Sequence, residues 1–247
     1  MELNISLSPD ILFYIGSFPL TNTFIWTVAI SLFLIFIFVF VGQRLKDKPS
    51  KLQNFIELLL EESYSFVESI TGPGKKAKRL FPLVATMFIF ILASNLAVYI
   101  PGQSAITLDS GGGPLSVFRA VMSDYGLVLV MTLITVVTIQ VVAIAVSGPF
   151  KYIGRFINFK NPLSFFLGLM DLIGEIAKIV SLSFRLFGNI FAGEVLGMVM
   201  LFLVPFFVPL PFLFLGLLTA VVQAFVFAVL TLVFISMASE VELEEAK

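Results

Sequence analysis

The sequence predicts an all-α integral membrane protein, and three observations lead to that class. Of its 247 residues, 59% are hydrophobic and 29 are phenylalanine, with a mean hydropathy of +1.06, well above a water-soluble domain. Only 13% are charged, so no stretch outside the apolar segments is long enough to form a second core. We expect one membrane domain over residues 1–247, with transmembrane helices, an amphipathic surface helix and a long, steeply inclined helical hairpin at the C-terminal end.

Three apolar runs predict simple membrane crossings. They cover residues 24–41, 80–100 and 126–146, and each has about the 17 to 25 residues that a helix needs to cross a bilayer. Residues 52–70 instead combine apolar positions at helical spacing with four glutamates. This pattern predicts a helix lying in the membrane interface, and docking of a partner on its apolar face is the alternative.

The C-terminal apolar region predicts a helical hairpin with arms at 163–204 and 212–239, divided by the proline-rich turn PFFVPLP. The first arm has 42 residues, which as one helix is about 63 Å long, roughly twice the hydrocarbon thickness. This arm must therefore either break at a glycine or lie at about 60° to the membrane normal.

The basic residues predict the orientation. Eight of the fifteen Lys and Arg residues lie between Arg44 and Arg79, before the second span. Lys151, Arg155 and Lys160 lie in the loop after the third span. Basic loops stay on the cytoplasmic side. The N-terminus is therefore expected outside and, after five crossings, the acidic C-terminus in the cytoplasm.

One face of the long predicted helix carries polar residues. Steps of four and three along the chain keep them within a sector about 80° wide. The six positions of this sector are Asp171, Glu175, Lys178, Leu182, Arg185 and Asn189, and all but Leu182 are polar. A solvated, mutually paired cluster at the cytoplasmic end is the structural alternative for the first three.

Arg185 and Glu194 are the charges that most need a functional explanation. An arginine at the bilayer centre costs about 2.5 to 3.5 kcal/mol, and from mid-depth its side chain is too short to reach surface water. Glu194 is nine residues further on, about 180° around the helix. A carboxyl group in apolar surroundings can bind and release protons near neutral pH. A protonated, hydrogen-bonded glutamate is its structural alternative.

Three other polar residues are candidates for contacts inside the membrane. Gln223 is an amide in an apolar segment, where a bond between helices is a sufficient structural reason for it. Asn95 and Asp124 lie near the outer ends of the second and third spans. We include all three in the candidate ion path.

The motifs SLSFRLFGNIFAGE and VVQAFVFAVLTLVFISMAS, with SNLAVYIPG after the second span, resemble subunit a of the rotary F-type ATP synthase, bacterial type. The resemblance implies the ion-conducting stator subunit, which is not an enzyme on its own. It implies as partners a ring of c subunits, peripheral-stalk b subunits and membrane lipid. It also implies a multi-pass protein of the bacterial plasma (inner) membrane, with two offset half-channels that carry protons.

The resemblance also assigns roles to single residues. It implies that Arg185 faces the essential carboxylate of each passing c subunit and prevents a proton short circuit. It places Glu194 in the outer half-channel, Gln223 beside the arginine and Asn189 as the amide of the motif. Asp171 and Lys178 match polar positions of the cytoplasmic half-channel. With the residues that the sequence itself suggests, the candidate proton path comprises Glu194, Gln223, Asn189, Asp171, Glu175, Lys178, Asn95 and Asp124.

Two positions depart from the family pattern. Some members pair the acidic residue with an ionisable residue seven positions before the glutamine, where this chain has Gly216, and others have an acidic residue at the position of Val98. Counting from the centre of the predicted turn places Gln223 opposite residue 193, close to Glu194, and therefore not opposite Arg185.

The composition argues against several other classes of function. The chain has no cysteine and no histidine, which removes disulfides, thiol chemistry and most metal sites. We expect no cofactor, no metal and no nucleic acid, and the absence of a phosphate-binding loop predicts that no nucleotide binds.

A proton-coupled carrier or antiporter with a buried Arg and Glu is the alternative function, and it predicts internal repeats that the sequence lacks. A purely structural scaffold leaves Arg185 unexplained.

Overall fold

The computed structural model describes residues 9–43, 45, 49–100, 106–109, 114–148, 152, 154, 156, 162–204 and 207–244. Six long helices occur within these residues. In chain order they are α1 (Asn22–Gln43), α2 (Lys51–Thr71), α3 (Lys75–Ala97), α4 (Tyr125–Ser147), α5 (Pro162–Leu203) and α6 (Pro209–Glu244). All but α2 are long and apolar enough to cross a membrane. The predicted all-α membrane class is confirmed.

Two short antiparallel hairpins in the described residues were not predicted. Strand β1 (Ile11–Ile15) pairs with β2 (Phe18–Thr21) around Gly16, whose φ of 64° suits glycine. Strand β3 (Thr107–Asp109) pairs with β4 (Pro114–Ser116). Strands of three to five residues are too short to show a clear alternating pattern, which explains why the sequence did not reveal them.

The hairpins and α4 meet at the N-terminus of α1. The side-chain amide of Asn22 donates to the Ser116 carbonyl at 3.2 Å. The Thr23 hydroxyl donates to Oδ2 of Asp124 at 2.8 Å, and Oδ1 of Asp124 accepts the N–H of Gly126 at 2.9 Å. Asp124 is therefore the N-cap of α4, and both of its carboxylate oxygens are engaged.

Helix α2 has the amphipathic character that its sequence predicts. The Ser50 hydroxyl accepts the Gln53 N–H and caps its start, and Gly72, with a φ of 77°, ends it. Ile56 and Val67 are buried, whereas three of its glutamates are exposed. The helix packs against α3, and its location in the membrane interface stays a prediction.

Helix α6 is the centre of the bundle, packed against α3, α4 and α5. Ala220, Ala224 and Ala228 follow one another at one-turn intervals on its buried face. Small residues at such positions let helix backbones approach closely. Phe227 and Leu232, both fully buried, belong to the two hydrophobic clusters that α6 joins. Helix α1, by contrast, packs mainly against α3.

Helix α5 runs for 42 residues without a break. Of the two possibilities for this segment, the break at a glycine is therefore excluded, and its inclination in the membrane stays a prediction. Much of its surface is apolar and exposed, with few packing partners in the chain. Exposed side chains on it include Leu163, Phe166, Ile176, Val180 and Phe184.

The turn between the last two helices is shorter than predicted. Helix α6 begins at Pro209, three residues before the predicted start at 212. Prolines are tolerated in a first helical turn because the N–H groups there have no partner within the helix. Pro209 and Pro211 therefore belong to α6.

Candidate functional site

Arg185 lies on the exposed side of α5. Leu182 and Leu186, on either side of it in the chain, are buried at 2% and 0% exposure, whereas Arg185 itself is exposed. Its Nη2 donates to the Ser181 hydroxyl at 3.4 Å. No ion pair joins Arg185 to an acid among the described residues. The guanidinium is therefore open to a charged partner beside α5.

The predicted polar face of α5 needs one correction. Leu182 falls in the middle of the predicted sector, yet its side chain points into the core. A sector about 80° wide can include positions that pack against neighbouring helices and positions that are exposed. The polar residues of α5 therefore divide into those that face neighbouring helices, such as Glu175, and the exposed Arg185.

Glu175 joins α5 to α4. Its Oε2 accepts the Gln140 amide at 2.8 Å, and its Oε1 pairs with Lys178 Nζ at 2.7 Å. Lys178 also lies over the Phe234 ring of α6, 5.3 Å from its centroid. Asp171 is one turn away and partly buried. The paired cluster considered from the sequence is present for Glu175 and Lys178, with Gln140 as an unpredicted third member.

Asn189 and Gln223 join α5 to α6. The Asn189 amide donates to Oε1 of Gln223 at 3.3 Å. The count that put Gln223 opposite residue 193 is wrong, because it assumed that the second arm begins at 212. With α5 ending at Leu203 and α6 beginning at Pro209, the centre of the turn is position 206, and residues 189 and 223 are equally distant from it.

Glu194 lines a cavity of about 460 Å³ formed by α3, α5, α6 and the segment before α4. Its Oε2 is buried without a hydrogen-bond partner among the described residues. The polar groups that act on its carboxyl group are the Ser123 side chain and the Arg119 guanidinium, the latter also on the wall of the cavity. Arg119 Nε also donates to the Ser123 hydroxyl at 3.4 Å.

Asn95 and Gly216 are on the wall of the same cavity. The Asn95 amide donates to the Ala220 carbonyl of α6 at 3.0 Å, and its own Oδ1 is buried without a partner among the described residues. Buried polar atoms without a protein partner are positions where water binds. The structure therefore brings Asn95 and Glu194 together, whereas Asp124 caps α4, and a role for it in conduction stays a prediction.

Sequence reasoning missed four polar residues of these sites: Tyr99, Arg119, Ser123 and Gln140. Gln140 had a usable signal, because a lone amide in an apolar span usually contacts another helix. Arg119 also had a signal, because basic residues are uncommon in outer loops and this one lies in a loop assigned to the outside. Tyr99 and Ser123 had none, since only the folded loop brings them to Glu194.

The arrangement separates two polar regions along one helix. Glu175 and Glu194 are 19 residues apart, about 28 Å along α5, and Arg185 lies between them on the exposed flank. No cluster of three or more His, Cys, Asp or Glu side chains able to hold a metal occurs in the part of the chain that the structure describes. The chemistry available is proton transfer through carboxyl groups and water.

Comparison with known proteins decides the family. The family model described as ATP synthase A chain matches residues 23–236. The chain belongs to this family. ATP synthase subunit a of Moorella thermoacetica is 35% identical over 228 residues, covering 92% of this chain and 95% of the relative. The subunit a proteins of Geotalea daltonii and Campylobacter concisus are each 32% identical, covering 85% and 84% of this chain and 84% and 85% of the relatives.

Membership of the ATP synthase A chain family confirms the resemblance found in the sequence. The family match covers α1 to α6 almost completely. With five candidate spans and bacterial relatives, the chain is a multi-pass protein of the bacterial inner membrane. The basic residues Lys151, Arg155 and Lys160, on which the predicted orientation partly depends, are outside the described residues.

Proposed function

We propose that this chain is the proton-conducting stator subunit of a rotary ATP synthase and performs no catalysis by itself. It delivers protons to and from carboxylates on a ring of c subunits through two offset half-channels. The observation that carries the proposal is the position of Arg185. A permanent cation without an acidic partner among the described residues is exposed on an apolar flank, between two separate polar regions.

The charge of Arg185 acts on the proton of a passing carboxyl group. A c-subunit carboxyl group that faces lipid is protonated, because burying its charge is costly. Beside a guanidinium about 4 Å away, the ionised form gains about 4 kcal/mol at an effective dielectric of about 20. The proton therefore leaves when the carboxyl group reaches Arg185.

Arg185 also keeps the two half-channels apart. A guanidinium stays protonated in proteins, so it cannot hand a proton from one aqueous path to the other. Protons must then travel with the ring. Moving one charge through 100 mV supplies about 2.3 kcal/mol, which is comparable to the attraction of about 4 kcal/mol at Arg185, so the gradient can drive each step.

We assign the polar residues of the two regions to the two paths. Glu194 and Asn95 belong to the outer half-channel, with Asp124 near its outer end, and their unpartnered oxygens favour a water-filled path. The cytoplasmic half-channel contains Asp171, Glu175 and Lys178. The Asn189–Gln223 pair joins the hairpin next to Arg185.

The proposal includes two kinds of protein partner. The c ring lies along the exposed flank of α5, because that flank carries Arg185 and has few packing partners within the chain. Peripheral-stalk b subunits hold the chain still while the ring turns. The N-terminus is outside and the C-terminus is cytoplasmic.

Cysteine crosslinking tests where the ring lies, because the chain has no cysteine of its own. Ser181 is exposed beside Arg185, and Ser181→Cys changes one atom. Thr86→Cys is the matched control, since Thr86 is also an exposed hydroxyl residue but lies on α3. Each variant is oxidised in membranes containing a c subunit with one cysteine beside its carboxylate.

We expect a crosslinked a–c product from Ser181→Cys and little or none from Thr86→Cys. The proposed placement of the ring is wrong if Ser181→Cys gives no product although the c ring is present. Equal products from both variants would contradict it as well, because the contact would then not be specific to the Arg185 flank.

A further inference from the structure

Gly216 leaves a notch in α6 that a tyrosine fills. A Cβ atom at position 216 would lie 2.5 Å from the Tyr99 hydroxyl oxygen, closer than real Cβ contacts allow. The next nearest atoms, two ring carbons of Tyr99, are at the ordinary contact distances of 3.5 and 3.7 Å. The conflict with a Cβ atom at 216 therefore comes from the Tyr99 hydroxyl group, and not from its ring.

Tyr99 is held there by the end of α3. Its backbone N–H donates to the Leu96 carbonyl just after the last helical residue, Ala97. Tyr99, Gly216 and Glu194 all line the same cavity. The hydroxyl group makes no hydrogen bond to any residue that the structure describes, so it has capacity for water in that cavity.

The chemistry of the phenol decides what kind of role is possible. Burial raises the pKa of the Tyr99 hydroxyl group above its ordinary value of 10.0. The phenol is therefore neutral at working pH, with one O–H donor and free acceptor positions. It can orient water without carrying a charge.

We propose that the Tyr99 hydroxyl, seated in the notch of Gly216, is a positioning residue that orients the water through which protons reach Glu194. This inference depends on the proposed function, since it concerns the same half-channel. It gives Gly216 a purpose, because any side chain there would displace the hydroxyl group. It also names a polar group of the path that the sequence does not reveal.

Three variants of the assembled ATP synthase test it in membrane vesicles. Tyr99→Phe removes the hydroxyl group and keeps the ring. Gly216→Ala keeps the hydroxyl group but pushes it out of the notch, which a flexible side chain can permit without unfolding. In the double variant the alanine meets only ring carbons at ordinary contact distances.

We expect each single variant to lower proton pumping per assembled complex about two- to tenfold, the range of one hydrogen bond. The double variant should be no slower than Tyr99→Phe. The dependence of the rate on external pH should shift in all three variants, whereas the dependence on internal pH should not. A merely structural role would reduce the amount of complex and leave the pH profile unchanged.

Wild-type rates per complex in Tyr99→Phe, additive effects of the two substitutions, or unchanged external pH profiles would each overturn the inference. Glu194→Gln is measured alongside to separate the two proposals. If Glu194→Gln is slow and Tyr99→Phe is normal, only the role of Tyr99 fails. If Glu194→Gln also pumps normally, the proposed outer half-channel fails.

Discussion

The Asn189 amide donates to the Gln223 side-chain oxygen across 3.3 Å, and this bond joins the two longest helices of the chain one turn from Arg185. The amide nitrogen of Gln223 is buried and has no partner among the described residues. A polar contact between helices in a membrane holds their register. The position of Arg185 relative to α6 is thus set by neutral groups, which leave its charge free for the c ring under the proposed function.

Replacing Arg185 with Ala should abolish coupled proton transport while the complex still assembles. The side chain is exposed and bonds only Ser181 of its own helix, so the main loss is the attraction of about 4 kcal/mol for a carboxylate. ATP-driven acidification of inverted vesicles measures transport, and copurification of c subunits measures assembly. Pumping close to the wild-type rate would refute the role.

The matched variant Arg185→Lys retains a positive charge. A lysine at this position can lose its proton, which an arginine does not do. We expect Arg185→Lys to pump weakly and to leak protons passively. A tight membrane with full pumping in this variant would show that charge alone, without a permanently protonated group, is sufficient.

Replacing Glu194 with Gln should slow proton uptake from the outer side. The amide keeps the size and hydrogen-bonding capacity of the side chain but cannot bind and release a proton. Pumping is measured between about pH 6 and pH 9, on both sides of neutral pH. Glu61→Gln, an exposed carboxylate on α2, is the control and should pump normally. Unchanged rates in Glu194→Gln over this range would count against a channel role.

Replacing Gln140 with Leu should loosen the contact between α4 and α5. Glu175 would keep Lys178 but lose a 2.8 Å bond from another helix, and such bonds contribute about 0.6 to 1.7 kcal/mol in membrane proteins. Thermal dissociation of the purified complex measures the loss. Thr138→Val is the control, because the Thr138 hydroxyl bonds only the Ile134 carbonyl of its own helix. Equal midpoints for both variants would show that the Gln140 contact carries no stability.

Replacing Ala224 with Leu should force the central helix away from its neighbours. Ala224 is fully buried in α6, and overpacking such a site costs about 1 to 3 kcal/mol. Val222→Leu is the control, since Val222 is half exposed on the same helix. The yield of assembled complex measures the effect, and equal yields would contradict the close helix packing at Ala224.

Hydropathy predicted the helices well because a membrane-spanning segment must be both apolar and helical. A chain in lipid must satisfy its backbone groups internally and supply about 20 apolar residues for each crossing. The cost of burying charge likewise made Arg185 and Glu194 conspicuous. These features depend on local composition, which a single sequence shows directly.

The details that the sequence did not show depend on how distant segments fold together. The pairing of Asn189 with Gln223 depends on the start of α6 at Pro209. From the sequence this start is predicted at 212, because the prolines are assigned to the turn. The approach of Tyr99 to Gly216 depends on the direction of the chain after α3. The spacing of apolar and polar residues along the sequence does not predict such contacts between distant segments.

The unbroken helix α5 is anchored at two levels, to α4 by the bond from Gln140 to Glu175 and to α6 by the bond from Asn189 to Gln223. Arg185 lies between the two anchor points, which are about 21 Å apart along the helix axis. Under the proposed function, a sideways pull of the rotor on Arg185 acts on a helix segment that is held at both ends. The load would then be shared between α4 and α6, and the cation would keep its place as each successive rotor subunit arrives.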